Sequence, residues 1–232
     1  AITLALILAS AYLYAYLFAK PMLSMGPSAL VLLIAGVLTV LLCLLMGEYL
    51  NINAMPVALG AMLAVNLLGA RPAYVTNMAL TLIITLLTAK GTGLVTSQTM
   101  SVLLTCSLGG LVAIWMMRKN MTRVMVVVSG LVVGAVNFGV LVCVRALTSS
   151  DMSGVWTDMA YAIGGAVVSA VLCVGLQPIL ETAFNLVTPS KLIELSNPNQ
   201  PLLRRLMIET PGTYHHSMVV ANLAEAAAEA VG

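Results

Sequence analysis

Seven runs of predominantly apolar residues, most of them long enough to cross a bilayer, limit what this chain can fold into. They fall at 2–19, 29–47, 54–69, 73–89, 98–117, 122–147 and 158–187. A membrane helix needs about 20 mostly apolar residues, so the runs predict an all-α, polytopic bundle of seven transmembrane helices. Composition agrees: 61% of the 232 residues are hydrophobic and 8% charged, where a soluble domain carries about a quarter charged. The third and fourth runs are short and meet at "LLGARPAY", where Arg71 and Pro72 interrupt the pattern. They read either as two full crossings or as a re-entrant hairpin.

The charges orient the bundle. Lys and Arg near span ends favour the cytoplasmic side, and the strongest cluster is "MMRKNMTR", with Arg118, Lys119 and Arg123. With that loop inside, alternation across seven spans puts Lys20 and Arg71 inside too. Glu48, Asp151 and Asp158 then fall outside, and the C-terminal segment with Lys191, Arg204 and Arg205 falls inside. Lys90 and Arg145 remain on the outer side, Arg145 able to snorkel from its helix end. The chain begins "AITLALILAS", with neither Met nor a basic leader, so an extracellular domain is expected to precede it. A net charge of +2 and 5% aromatic residues exclude a nucleic-acid polymer as partner.

Within the spans, Cys43, Cys106, Cys143 and Cys173 sit in apolar runs without a CxxC pair. They read as small hydrophobes rather than as a disulfide framework or zinc site. Small residues recur at spacing four, Gly130 with Gly134 and Gly60 with Ala64, which suits close helix packing. Asn66, Asn77 and Asn137 lie at membrane depth and read as interhelical hydrogen-bond partners, with Gln177 and Glu181 towards the inner end of the last span. A proton or ion path would need several carboxylates at mid-depth, and the spans do not supply them.

From about residue 188 the character changes. Thr188-Pro189-Ser190 is expected to end or kink the last span, and "SKLIELS" to form one or two turns capped by Ser190. "PLLRRLMIET" reads as an amphipathic helix with Pro201 at its first position and Leu202, Leu203 and Leu206 as its apolar stripe. Pro211-Gly212 reads as a turn and Thr213 as the cap of a helix of roughly 18 residues. On that helix His216 shares a face with Val220, Leu223, Ala227 and Ala230, while His215 lies at its boundary. By spacing, His216 is either a hydrogen-bonded core residue or one metal ligand whose companions come from elsewhere.

"PGTYHHSMVVANLAEAAAEAVG" resembles the opening helix of an HD-type phosphohydrolase domain. With "KLIELSNPNQPLLRRL" and the seven spans before it, the chain resembles the seven-transmembrane HD family, whose bacterial members include cyclic di-AMP phosphodiesterases. The resemblance implies a bundle over 1–187, linker helices over 188–210 and the N-terminal fragment of an HD domain over 211–232. It implies a divalent metal pair, iron or manganese, in the complete HD domain, with His216 as one ligand and His215 not a ligand. The adjacent His-Asp pair that names the family is absent from these residues, so the fragment should be inactive alone. The expected partners are the lipid bilayer, cyclic di-AMP as substrate of the parent protein, and a second copy of the chain as a homodimer. The expected location is the bacterial plasma membrane. The alternatives are a small-molecule transporter and a membrane receptor with a degenerate HD tail.

Overall fold

The structure is a computed structural model that describes residues 26–89, 96–118, 122–148 and 154–231. The first expected span, 2–19, lies outside the described residues, as do Lys20, Lys90, Lys119 and Asp151. The described elements are all helical. They are α1 (Gly26–Tyr49), a 3-10 turn (Ile52–Ala54), α2 (Leu59–Leu68), α3 (Ala70–Thr88), α4 (Ser97–Met117), α5 (Arg123–Thr148), α6 (Val155–Ala183), α7 (Pro189–Leu195), α8 (Pro201–Glu209) and α9 (Pro211–Val231). They divide into two compact units, Ala1–Thr188 and Pro189–Gly232.

Among the described residues five helices, α1 and α3 to α6, are long and apolar enough to cross a membrane. The third expected span, 54–69, is open in the sequence between a full crossing and part of a re-entrant hairpin, and its helix is shorter than the span. That segment crosses, but it is α-helical only over Leu59–Leu68. Pro56 has no N–H to give a helical ladder; Asn51 instead caps the 3-10 turn by accepting from the Asn53 N–H at 2.9 Å, and Val57 N–H donates to Met55 O at 2.8 Å. Helix α2 then runs for ten residues, Leu59 to Leu67 all buried. Asn53 donates to Asp158 near the start of α6, and Asn66 donates to Gln177 near its end. Between those two contacts α6 rises by about 28 Å, close to the thickness of the hydrocarbon core. The segment is therefore a broken crossing and not a re-entrant hairpin.

Non-helical backbone at membrane depth must be sheltered by protein, because lipid offers no hydrogen bonds. Gly165 of α6 provides the shelter: a β-carbon there would lie 2.6 Å from the Ala54 carbonyl oxygen and 3.0 Å from that of Met55. Helix α2 itself packs against α1, α3, α4 and α6. On α1 and α3, Thr39 and Leu80 press onto Gly60. The turn to α3 is made by Gly69 at φ 91°, ψ 179°, a conformation that only glycine adopts readily. Arg71 and Pro72, expected to break the pattern, instead occupy the first turn of α3, where a missing N–H costs nothing.

Gly130 and Gly134 carry the α5–α6 contact. A β-carbon at Gly130 would sit 2.6 Å from Ala170 Cβ, and one at Gly134 would sit 3.0 Å from Ile163 Cα. Gly109 and Gly110 thin α4 in the same way, admitting Asn137 of α5 and Asn77 of α3 onto its backbone. The lateral surface is apolar, with Trp115, Leu131 and Val171 more than half exposed, as a lipid-facing surface should be.

Helix α6 ends earlier than 187, and Pro189 is not what ends it. Asn185 takes φ 49°, Leu186 N–H donates to Glu181 O at 3.0 Å and Asn185 N–H to Thr182 O at 3.5 Å. That pair of bonds with a left-handed residue between helix and coil is a Schellman closure. Pro178, inside α6, removes one rung just before it.

In the second unit, α7 begins at Pro189, so Ser190 lies inside the helix rather than capping it. Pro201 opens α8 as expected. Helix α9 begins at Pro211 rather than after Thr213, because proline's preset φ suits a first helical position. Helices α8 and α9 pack on each other. Leu203, Leu206 and Tyr214 are half-buried, while Leu202 is 79% exposed.

Candidate functional site

Three polar places emerge from this architecture. The first is the one the sequence pointed to. His215 and His216 lie in the first two turns of α9, and both are exposed, as are Val220 and Leu223 on the face that His216 was expected to turn inward. Among the described residues no three His, Cys, Asp or Glu side chains gather where they could hold a metal. One exposed imidazole is not a metal-pair site, so His216 has the chemistry of a ligand without its companions. Helix α9 presents an apolar side to solvent, Met218, Val219, Val220 and Leu223 all being more than 40% exposed.

The second place is the end of the bundle where α6 finishes. Asn66 of α2 donates to Gln177 Oε1 at 3.1 Å, and Gln177 Nε2 donates to Glu181 Oε1 at 2.8 Å. Thr188 Oγ1 donates to the same Glu181 oxygen at 2.7 Å. Thr188 is 1% exposed and is the last residue of the bundle unit. A chain of hydrogen bonds thus runs from the central half-helix, along α6, to the residue where the tail begins. Gln177 and Glu181 sit at i, i+4 on one face of α6, which was readable; Asn66 and Thr188 as their partners were not.

The third place is the opposite end. Arg145 of α5 meets Asp158 of α6 at 2.7 Å, and Asn53 Nδ2 donates to the other Asp158 oxygen at 2.9 Å. Asp158 is buried, at the positive end of α6, where a carboxylate is favoured. Arg145, which the sequence shows able to snorkel from its helix end, is held there by a carboxylate. Arg71, Arg118 and Arg123 lie at the other end, at the start of α3, the end of α4 and the start of α5.

Asn77 donates to the Ser107 carbonyl across the α3–α4 contact at 3.3 Å, and Asn66 bridges α2 to α6, so both act as interhelical partners. Asn137 does not: its Oδ1 is buried with no hydrogen-bond partner among the described residues.

The match that decides the family covers residues 1–188, all of the bundle unit, against the model for the 7TM receptor with intracellular HD hydrolase. The chain belongs to that family. It is a multi-pass membrane protein of the 7TM-HD type. It is 34% identical over 212 residues, 87% of its length, to a protein of Bacillus subtilis named cyclic-di-AMP phosphodiesterase PgpH. It is 42% identical over 127 residues, 54% of its length, to the protein of the same name from Listeria monocytogenes. An uncharacterized protein of Synechocystis is 51% identical over 70 residues, 30% of the chain and 8% of that protein. The chain spans 30% of the Bacillus protein and 18% of the Listeria one. No solved structure matches it.

Proposed function

We propose that this chain is the membrane portion of a metal-dependent cyclic di-AMP phosphodiesterase, anchoring and regulating a cytoplasmic HD hydrolase domain of which α9 is the first helix. The observation that carries the reading is the likeness to the Bacillus phosphodiesterase, which covers 87% of the chain and so reaches past residue 188 into the tail. The tail lies inside and the Arg145–Asp158 end outside; the three arginines at the inner end support this orientation. In the complete domain a pair of divalent cations, iron or manganese, would activate water for attack on the phosphodiester. His216 would hold one of them through a neutral ring nitrogen, and its exposure on α9 leaves it accessible for that purpose. His215 stands beside it as a non-ligand. The bundle's part is positional: the Asn66–Gln177–Glu181–Thr188 chain ties the root of the tail to the centre of the membrane unit.

The test is hydrolysis of cyclic di-AMP by the full-length protein and its His216→Ala and His215→Ala variants, with bound metal measured in parallel. His216→Ala should lower the rate by at least about 100-fold, the upper end of what loss of a merely supporting partner costs, and should lower metal content. His215→Ala should keep its metal. Full activity in His216→Ala would overturn the assignment.

A further inference from the structure

Between the 3-10 turn and the ends of α4, α5 and α6 lies a cavity of about 540 Å³, on whose wall stand Arg145, Asp158, Asn51, Asn53, Gln98 and Ser101. Just below it, sharing Ile52, Asn53 and Leu141, is a second hollow of about 10 Å³ reaching Thr105 and Asn137. That is the space of one water. Asn137 is 5% exposed and its Oδ1 lacks a partner among the described residues. It stands eleven residues before the end of α5, roughly 17 Å into the bundle. An acceptor left bare at that depth needs a donor brought to it from the hollow.

We propose that this cavity binds a small zwitterion of the amino-acid class, a free amino acid or a dipeptide. Three observations select that chemistry. The wall's two charges pair with each other at 2.7 Å, so the site is neutral, and a ligand with net charge would bring a charge that nothing on the wall is left to balance. A neutral ligand avoids that. Both charges nevertheless border the cavity, with Arg145 one-third exposed and Asp158 one-tenth. A carboxylate can therefore lie against the guanidinium while an ammonium lies against Asp158 and the side-chain carbonyls of Asn51 and Asn53. The volume is within the usual range for small-molecule sites, about 300–1,000 Å³. From the broken crossing, Asn51, Ile52 and Asn53 at the 3-10 turn line the cavity. This site is independent of the hydrolase reading, since it needs nothing beyond the bundle.

The experiment is thermal unfolding of the purified 232-residue chain in lipid nanodiscs. The probes are each of the twenty amino acids and glycylglycine at millimolar concentration, against acetate, methylammonium and glycerol as comparators. At least one zwitterion should raise the midpoint by roughly 5–10 °C at a hundredfold excess over its Kd, and the comparators should not. The double variant Arg145→Gln/Asp158→Asn, which keeps shape and neutrality, should lose the response. Should that variant fail to fold, Gln98→Leu/Ser101→Val at the mouth should fold normally and weaken binding about tenfold, the effect of losing about one net hydrogen bond. The proposal falls if no zwitterion shifts the midpoint, if glycerol or acetate shifts it equally, or if the folded variants respond like the parent.

Discussion

At the end of the bundle where α6 begins, a charged pair and an amide, Arg145, Asp158 and Asn53, surround a cavity. Where α6 finishes, Asn66, Gln177, Glu181 and Thr188 form a ladder with one carboxylate and three neutral partners. The same two segments, the broken crossing and α6, build both ends. The difference lies in their backbones. Beside Asp158 the partner is a 3-10 turn that packs on Gly165 and lines the cavity with Asn51, Ile52 and Asn53, and beside Gln177 it is a regular helix that packs closely. Irregular backbone makes a recess, and regular backbone makes a seam.

The largest way to break the comparison is to deny the irregular backbone its seat. Gly165→Val should clash with the Ala54 and Met55 carbonyls and destabilise the bundle by about 3 kcal/mol or more. Gly164→Val, at a neighbouring position with open space around it, should stay within about 0.5 kcal/mol of the parent. Unfolding monitored by circular dichroism in nanodiscs separates the two; equal effects would dissolve the argument. Next in size is the charged end. Asp158→Ala should cost about 2–3 kcal/mol, somewhat below a fully buried pair because Arg145 is one-third exposed. Adding Arg145→Gln should restore most of that loss, read as the coupling in a double-mutant cycle. The smallest effect belongs to the ladder. Glu181→Leu removes the acceptor of the Gln177 and Thr188 bonds and should cost about 1–2 kcal/mol, with faster hydrogen exchange over 184–188, whereas Glu181→Gln keeps an accepting oxygen and should be near neutral. Unchanged exchange in Glu181→Leu would mean that the ladder does not hold the root of the tail.

Much of this was legible in the sequence because lipid imposes a simple rule on long apolar runs. The all-α class, the positions of α1 and α3 to α6, and the close packing at Gly130 and Gly134 all follow from it. What escaped depended on partners distant in the chain. Asp158 and Arg145 are thirteen positions apart on different helices, so in the sequence their charges read as polarity at span ends rather than as a pair. Pro56 lay inside an apolar run and was absorbed into a span, although it is one reason α2 starts late. Asn185 offered the one residue type besides glycine that readily closes a helix, yet the more conspicuous Pro189 drew the boundary. In the tail, α7 and α9 begin two and three residues before the starts that caps at Ser190 and Thr213 predict. The inward face expected for His216 is not realised among the described residues, because a helical pattern says which side is apolar and not what covers it.

A strut that is half coil and half helix has no fixed length. Winding the irregular stretch at 55–58 into α2 would shorten the strut, by roughly 1.8 Å for an extended residue such as Met55, drawing Asn53 away from Asp158 without any tall helix having to slide. Of the described segments that reach from one face of the bundle to the other, this is the one whose span can be reset by winding.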